Sequence, residues 1–328
     1  MKRSLIAAAL LVACAMASAQ TYNPKIAYTR YEGKSDNLYL ANADGSSPVI
    51  VYRSGKVGLG GIDIAPTNAA TPAVGRIAFV QSGVLKILSY TVAARGISAT
   101  VPTTLDSTGA PYLGARNPDF SPDGSRIIYT RDTLPGPPSA TEIRVIASAG
   151  STPPKVLYAS SGFIGLARWL TASDFVFDDH AGSPAPSEIR LASLDASDNL
   201  VSPPLTMFTT GDPELLQAVG GGTNTGIEDF DVARTRPSLV FTTGNSLGGT
   251  GNFRDFVEYD MSTGAFTKRF SNNGWRVHFS SDDAYLFYLH GNSRTSSLYD
   301  YVYRFDIASG NTTQLASKAQ YGYDDAKP

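Results

Sequence analysis

The chain has 328 residues, of which 42% are hydrophobic and 10% aromatic but only 17% charged, so it can bury a large core and is not a disordered chain. Its 27 basic and 29 acidic residues give a formal net charge of −2, which provides no general attraction to nucleic acid or to an anionic membrane surface. The 31 glycines and 20 prolines favour many turns over long helices.

The first 19 residues have the pattern of a secretory signal peptide. Two basic residues precede an apolar run over residues 5–16, and Ala17-Ser18-Ala19 offers a small-x-small cleavage site. We therefore predict cleavage after Ala19, a periplasmic or secreted location and one mature domain over residues 20–328, with no transmembrane segment. A lipobox over residues 11–14 is the alternative, and it would anchor the protein through Cys14.

A sequence repeat of about fifty residues organises the rest of the chain. In its clearest copy, Phe120 stands seven residues before Ile127 across a Ser-Pro-Asp-Gly turn, which predicts a β-hairpin. We call the residue in the Phe120 position the anchor of its repeat. The five anchors and their predicted cross-strand partners are Ile64 and Ile77, Phe120 and Ile127, Trp169 and Phe175, Val232 and Leu239, and Phe279 and Leu286.

A second hairpin follows in each repeat, and in two repeats it contains the turn Asp-x-x-Ser/Thr-Gly. Six such units fit the chain, each forming one antiparallel sheet of four short strands, and only Pro213–Val219 has a helical pattern. The first unit begins at its second strand, over residues 26–29, and residues 320–323 are predicted to supply its missing strand and so close the ring. The sequence therefore predicts an all-β fold, a six-bladed β-propeller.

Phe120-Ser121-Pro122-Asp123-Gly124 with Ile127-Ile128-Tyr129 resembles the WD-like repeat of the TolB-type β-propeller family. The resemblance covers the propeller repeats, without the N-terminal α/β domain found in TolB. It implies a bacterial envelope protein, but no contacts of the Tol system are carried over.

Two groups of polar residues are candidates for ligand binding. In a propeller of this type the long loops lie on one face, and the candidates there are Arg116, Asn117, Asp179, His180, Glu228, Asp229 and His290. The residues just before the anchors should line the central channel, and they are Asp63, Asp119, Arg168, Asp231 and His278. Each group has a structural alternative. For the loop residues it is that they are solvated surface charges, and for the channel residues it is that they form a solvated lining and pair with each other.

No catalytic motif stands out in the sequence. The three histidines form no HxH or HExxH pattern, and no G-x-S-x-G nucleophile elbow, which joins a strand to a helix, is predicted. We therefore predict a monomeric, non-catalytic module that binds a protein, a peptide or an envelope component and needs no cofactor. The alternative is a lactonase-like hydrolase in which Asp63, Asp119, Asp231 and His278 hold a divalent cation in the channel.

Overall fold

The computed structural model describes most of the chain, and all structural statements below concern that part. The described residues are 25–32, 35–55, 58–66, 74–93, 96–110, 113–134, 140–180, 187–220, 224–245, 254–272, 274–280, 282–291 and 300–319. The predicted signal peptide, Cys14 and the predicted closing strand at residues 320–323 lie outside these ranges, so they stay predictions.

The strands form six antiparallel sheets, which are the six predicted blades. Blade 1 contains β1 (Lys25–Tyr31), β2 (Asp36–Asn42) and β3 (Val49–Arg53). Blade 2 contains β4 (Leu59–Ile64), β5 (Val74–Gln81), β6 (Val84–Ala93), β7 (Gly96–Ala99) and β8 (Thr103–Asp106), with β7 and β8 both paired to β6. Blade 3 contains β9 (Ala115–Phe120), β10 (Arg126–Asp132), β11 (Thr141–Ala147) and β12 (Lys155–Ser160).

The second half of the ring repeats the four-stranded arrangement. Blade 4 contains β13 (Ala167–Trp169), β14 (Asp174–Asp179), β15 (Glu188–Ser193) and β16 (Leu205–Thr209). Blade 5 contains β17 (Asn224–Val232), β18 (Ser238–Asn245), β19 (Arg254–Asp260) and β20 (Ala265–Asn272). Blade 6 contains β21 (Gly274–Phe279), β22 (Tyr285–Gly291), β23 (Asp300–Asp306) and β24 (Thr312–Ala319). A short helix α1 (Pro213–Ala218) confirms the predicted helical turn and buries Leu215.

The register confirms the repeat at the level of single residues. All five anchors face their predicted partners in the first hairpin of blades 2 to 6. Because an anchor is large and apolar, its side chain enters the core between neighbouring blades, as Trp169 does beside Ile128 of the preceding blade. The propeller is therefore held together by apolar contact between the faces of adjacent sheets.

The predicted turns also form as the residue chemistry requires. Asp260 Oδ1 accepts the backbone N–H groups of Ser262 and Thr263, and Gly264 closes the turn with a φ of 74°. Ser121 and Ser125 donate to Asp123, and these bonds lower the pKa of Asp123 to about 2. In the described part of the chain, no helix has the length and apolar character needed to span a membrane.

Candidate functional site at the mouth of the central channel

The innermost strands of blades 2 to 6 place two rings of residues around the channel. We call the residues immediately before the anchors the deep ring: Asp63, Asp119, Arg168, Asp231 and His278. We call the residues three positions before the anchors the mouth ring: Gly61, Asn117, Leu166, Asp229 and Arg276. All five deep-ring residues are buried, with at most 3% of their surface exposed.

The carboxylates of the deep ring bind the backbone of the next blade. Asp63 Oδ2 accepts the N–H of Phe120 at 2.5 Å, and Asp119 Oδ2 accepts the N–H of Trp169 at 2.8 Å. Asp231 Oδ2 accepts the N–H of Phe279 at 2.9 Å. In each pair the acceptor precedes one anchor and the donor is the next anchor, so these aspartates link adjacent blades.

The deep ring does not fit a divalent cation. Arg168 Nε lies 3.7 Å from Asp231 Oδ1, and Arg234 Nη2 lies 3.8 Å from Asp119 Oδ1. Loss of hydration lowers the pKa of Arg234, but the charges of Asp119, Asp231 and Asp63 outweigh it and raise the pKa above the ordinary value. Two guanidinium groups thus stand beside the carboxylates that would have to hold the cation. Over the described ranges, no cluster of three or more His, Cys, Asp or Glu side chains is arranged to bind a metal ion.

A cavity of about 830 Å³ opens at the mouth ring, and all five mouth-ring residues line it. We call it the mouth cavity. β-Bulges at Gly61, Asn117 and Arg276 turn the inner strands at this level, and each of these residues has a left-handed φ of 47–59°. Gly61 is required here, because a Cβ atom would lie 2.7 Å from the backbone nitrogen of Asn117.

The polar centre of the cavity wall is His180, at the end of β14. Its Nε2 lies 2.8 Å from Asp178 Oδ2, and its Nδ1 lies 2.7 Å from Ser187 Oγ. Asp178 is itself fixed by the Leu166 N–H, which donates to Oδ1 at 2.6 Å. Since a carboxylate only accepts, Nε2 carries the proton toward Asp178 and Nδ1 of the neutral ring accepts the Ser187 hydroxyl.

Backbone geometry leaves room for this arrangement. A Cβ atom at Gly165 would lie 2.5 Å from Asp178 Oδ2, so only glycine at this position lets the carboxylate reach His180. Backbone hydrogen bonds between Phe163 and His180 fix the strand end, and the two rings lie 5.6 Å apart. The His180 side chain keeps 25% of its exposure, whereas the Asp178 side chain keeps 3%.

The electrostatic surroundings of His180 favour its protonated form. Burial lowers its pKa, but the hydrogen bond that His180 donates to Asp178 and the charges of Asp178 and Asp179 outweigh burial and place the pKa above the ordinary histidine value.

We expect Asp178→Asn to lower the pKa of His180, because the variant keeps an acceptor for Leu166 but loses the charge. NMR titration of the imidazole resonances measures this shift, with His290 as the internal control. Because the folded pKa is raised, protonation of His180 stabilises the fold at low pH, and this stabilisation is lost as pH rises through the folded pKa. An unchanged His180 pKa in the variant would contradict this account of the pair.

The structure brings only some of the predicted residues together. Arg116, Asn117, His180 and Asp229 line the mouth cavity. Arg116 bonds to Asp132 at 2.6 Å, and its guanidinium lies 5.0 Å from the Phe163 ring centroid.

Two other candidates from the loop-rich face are not among the residues that line the mouth cavity. Asp179 points away from the cavity, because successive strand residues face opposite sides. It accepts hydrogen bonds from Arg190 of its own blade at 3.0 Å and from Ser160 of blade 3 at 3.1 Å. His290 packs against Tyr303 at 5.5 Å, and burial lowers its pKa. The side chain of Glu228 lies outside the described residues.

The sequence did not lead us to predict several residues of the site. They are Asp132, Phe163, Asp178, Ser187, Arg254, Trp275 and Arg276, of which Ser187 reaches the cavity only through His180. Two signals were available. Asp178 stands two residues before His180 and so shares its face of the strand. Trp275 and Arg276 precede their anchor by four and three residues, as Arg116 and Asn117 do in blade 3.

Comparisons with known proteins support the fold and give no family. No protein-family model matches the chain, and no curated protein matches its sequence. An oligogalacturonate lyase in complex with manganese superposes with a TM-score of 0.53 at 10% identity, covering 86% of this chain and 71% of that one. Oligogalacturonate lyase from Vibrio parahaemolyticus also gives 0.53 at 10% identity, covering 91% and 83%. Kuenenia stuttgartiensis hydrazine synthase gives 0.50 at 10% identity, covering 86% and 92%.

These likenesses establish the six-bladed propeller and correct one prediction. The resemblance to the TolB-type family is not confirmed by a family model, although the fold that it implied is confirmed. The prediction that the chain is not an enzyme is wrong, because structures that share its fold over most of their length are enzymes by name. The binding module was inferred mostly by analogy with the propeller fold, and a fold alone does not establish function.

Proposed function

We propose that this protein is a lyase that acts on an acidic oligosaccharide in the mouth cavity. The observation that carries the proposal is the alignment of Asp178, His180 and Ser187 at the wall of that cavity. A histidine oriented by a carboxylate, with its second nitrogen hydrogen-bonded to a hydroxyl, is an arrangement suited to general base catalysis.

The reaction would begin with removal of the proton from the carbon next to a sugar carboxylate. Nδ1 of His180 takes this proton, either directly after the Ser187 hydroxyl turns away or through that hydroxyl. The C–O bond to the departing sugar then breaks, a carbon–carbon double bond forms, and the imidazolium returns the proton to the leaving oxygen. Asp178 stabilises the imidazolium in between, since it lies 2.8 Å from Nε2.

The walls of the cavity suit a sugar chain. Phe163 and Trp275 provide flat apolar surface, and guanidinium and carboxylate groups of Arg116, Asp132 and Asp229 provide hydrogen-bonding partners for hydroxyl groups. A volume of about 830 Å³ lies in the range of cavities that enclose small organic ligands. The two lyases that share the fold support this substrate class.

The alternative prediction was a metal-dependent hydrolase. The comparisons support an enzyme, but the residues of the channel do not support a metal site. One of these lyases is described in complex with manganese. In this chain the carboxylates of the deep ring bind backbone N–H groups and lie beside Arg168 and Arg234, so we assign them to blade linkage and route no step through a cation there.

The test is incubation of the purified protein with oligogalacturonate, followed through the ultraviolet absorbance of the unsaturated product. Parallel reactions contain a chelator or added manganese, so that any need for a cation is measured directly. We expect a time-dependent rise in absorbance proportional to protein concentration. No product in any of the three conditions would overturn the proposed function.

A further inference from the structure

Arg276 has a backbone conformation that its side chain does not favour. Its φ is +59°, in the left-handed region where the Cβ atom of an ordinary residue crowds the following carbonyl oxygen. It lies in a β-bulge of β21, where Arg276 and Val277 together stand opposite Tyr288 of β22. The bulge in the inner strand therefore fixes this conformation, which arginine does not adopt by preference.

Blades 2 and 3 show which residues occupy this position without backbone strain. The equivalent mouth-ring residues are Gly61, with a φ of +50°, and Asn117, with a φ of +47°. Glycine and asparagine are the residues that tolerate the left-handed region best. Blade 6 carries an arginine instead, and a strained residue at a cavity is a pointer to function.

The side chain of Arg276 contributes to the wall of the mouth cavity, two blades away from His180. Its neighbours along the wall include Trp275, whose ring centroid lies 5.5 Å from the guanidinium carbon of Arg254. Arg276 and Arg254 therefore give this side of the cavity two guanidinium groups, with Asp229 in the preceding blade. The planar fork of a guanidinium matches a carboxylate better than any other side chain does.

We propose that Arg276 is the specificity-determining residue that binds a carboxylate of the substrate, and that it is retained at a cost to stability. The inference rests on the proposed function and adds to it the group that selects acidic over neutral sugars. Pairing with Arg276 neutralises the carboxylate next to the carbon that His180 deprotonates, which makes that carbon a stronger acid.

The inference is tested by Arg276→Gly and Arg276→Asn, which install the residues found in blades 2 and 3. Both variants should melt about 1–3 °C higher than the wild type, because the strain is relieved. Both should bind oligogalacturonate at least about tenfold more weakly by calorimetry, a loss of about 1.4 kcal/mol. Binding of a neutral galactose oligomer, measured in parallel, should change by less than twofold.

Ser47→Gly is the matched control, because Ser47 also has a left-handed φ, of +53°, but lies in an exposed turn away from the cavity. It should raise the melting temperature and leave sugar binding unchanged. Unaltered oligogalacturonate binding in both Arg276 variants, with wild-type turnover intact, would overturn the role of Arg276 alone. If the wild type neither binds nor cleaves oligogalacturonate, the proposed function fails and this inference fails with it.

Discussion

Replacing His180 by alanine should reduce turnover of oligogalacturonate by at least about 100-fold, the smallest loss typical of a missing general base. The variant removes the group that accepts the proton, yet Asp178 keeps its bond from the Leu166 N–H, so the fold should persist. Binding should weaken much less than turnover, because the arginines and Trp275 on the other walls are untouched. Initial rates and calorimetry on the same preparation separate the two effects.

His290→Ala is the matched control for this prediction. His290 is also partly buried at the end of a second strand, but it packs against Tyr303 and is not among the residues that line the mouth cavity. Its loss should leave turnover within about twofold of the wild type, as expected for a residue that makes no contact with the reacting groups. Equal losses in the two variants would show that histidine truncation acts through stability, and the assignment of His180 as the base would be wrong.

Replacing Asp119 by alanine should lower the free energy of unfolding by about 3 kcal/mol. The variant leaves the Trp169 N–H without its acceptor in a closed site and removes the carboxylate that faces Arg234. The buried N–H is then desolvated without compensation and Arg234 loses one of the three carboxylates that act on it, which costs more than the loss of one exposed hydrogen bond. Urea denaturation followed by fluorescence measures the change, since Trp169 reports on the affected junction between blades.

Two further variants separate the hydrogen bond between blades from the loss of a negative charge. Asp119→Asn keeps an oxygen acceptor for Trp169 and should cost about 1–2 kcal/mol. Glu214→Ala removes an exposed carboxylate on α1 and should change stability by less than about 0.5 kcal/mol. A value for Asp119→Ala as small as that for Glu214→Ala would contradict the inter-blade role of the deep ring.

The sequence predicted the fold to the level of paired residues because the determinants are local. An apolar anchor, a turn rich in Asp and Gly and an apolar partner specify one hairpin, and five repeats place Trp169 opposite Phe175 by the same rule as Phe120 opposite Ile127. The helix at residues 213–218 was also predictable, since Pro213 begins it.

The candidate site was predicted only in part, for identifiable reasons. Arg116 and Asn117 were predicted from the long loops on one face. Trp275 and Arg276 were not predicted, although they stand at the same distances before the anchor of blade 6. Period-two alternation separates Asp178 from Asp179, but nothing local in the sequence shows which of the two faces the channel.

Other features of the site depend on contacts between distant segments. Ser187 meets His180 only because β14 and β15 are neighbours, and the left-handed φ of Arg276 follows from a bulge that the sequence does not mark. The deep-ring aspartates were recognised as equivalent, but their bonds to the next blade required the assembled ring.

The central claim is that the mouth cavity binds the substrate, and the two tryptophans of the chain test it within one spectrum. Trp275 lines the cavity, whereas Trp169 is buried between blades with 1% of its surface exposed. An amide and indole NMR spectrum is recorded while oligogalacturonate is added, with Trp275→Phe used to assign the signals. Our account predicts that the Trp275 indole signal shifts and saturates while that of Trp169 stays in place. A Trp275 signal that remains fixed at concentrations where binding or turnover is detected would contradict it.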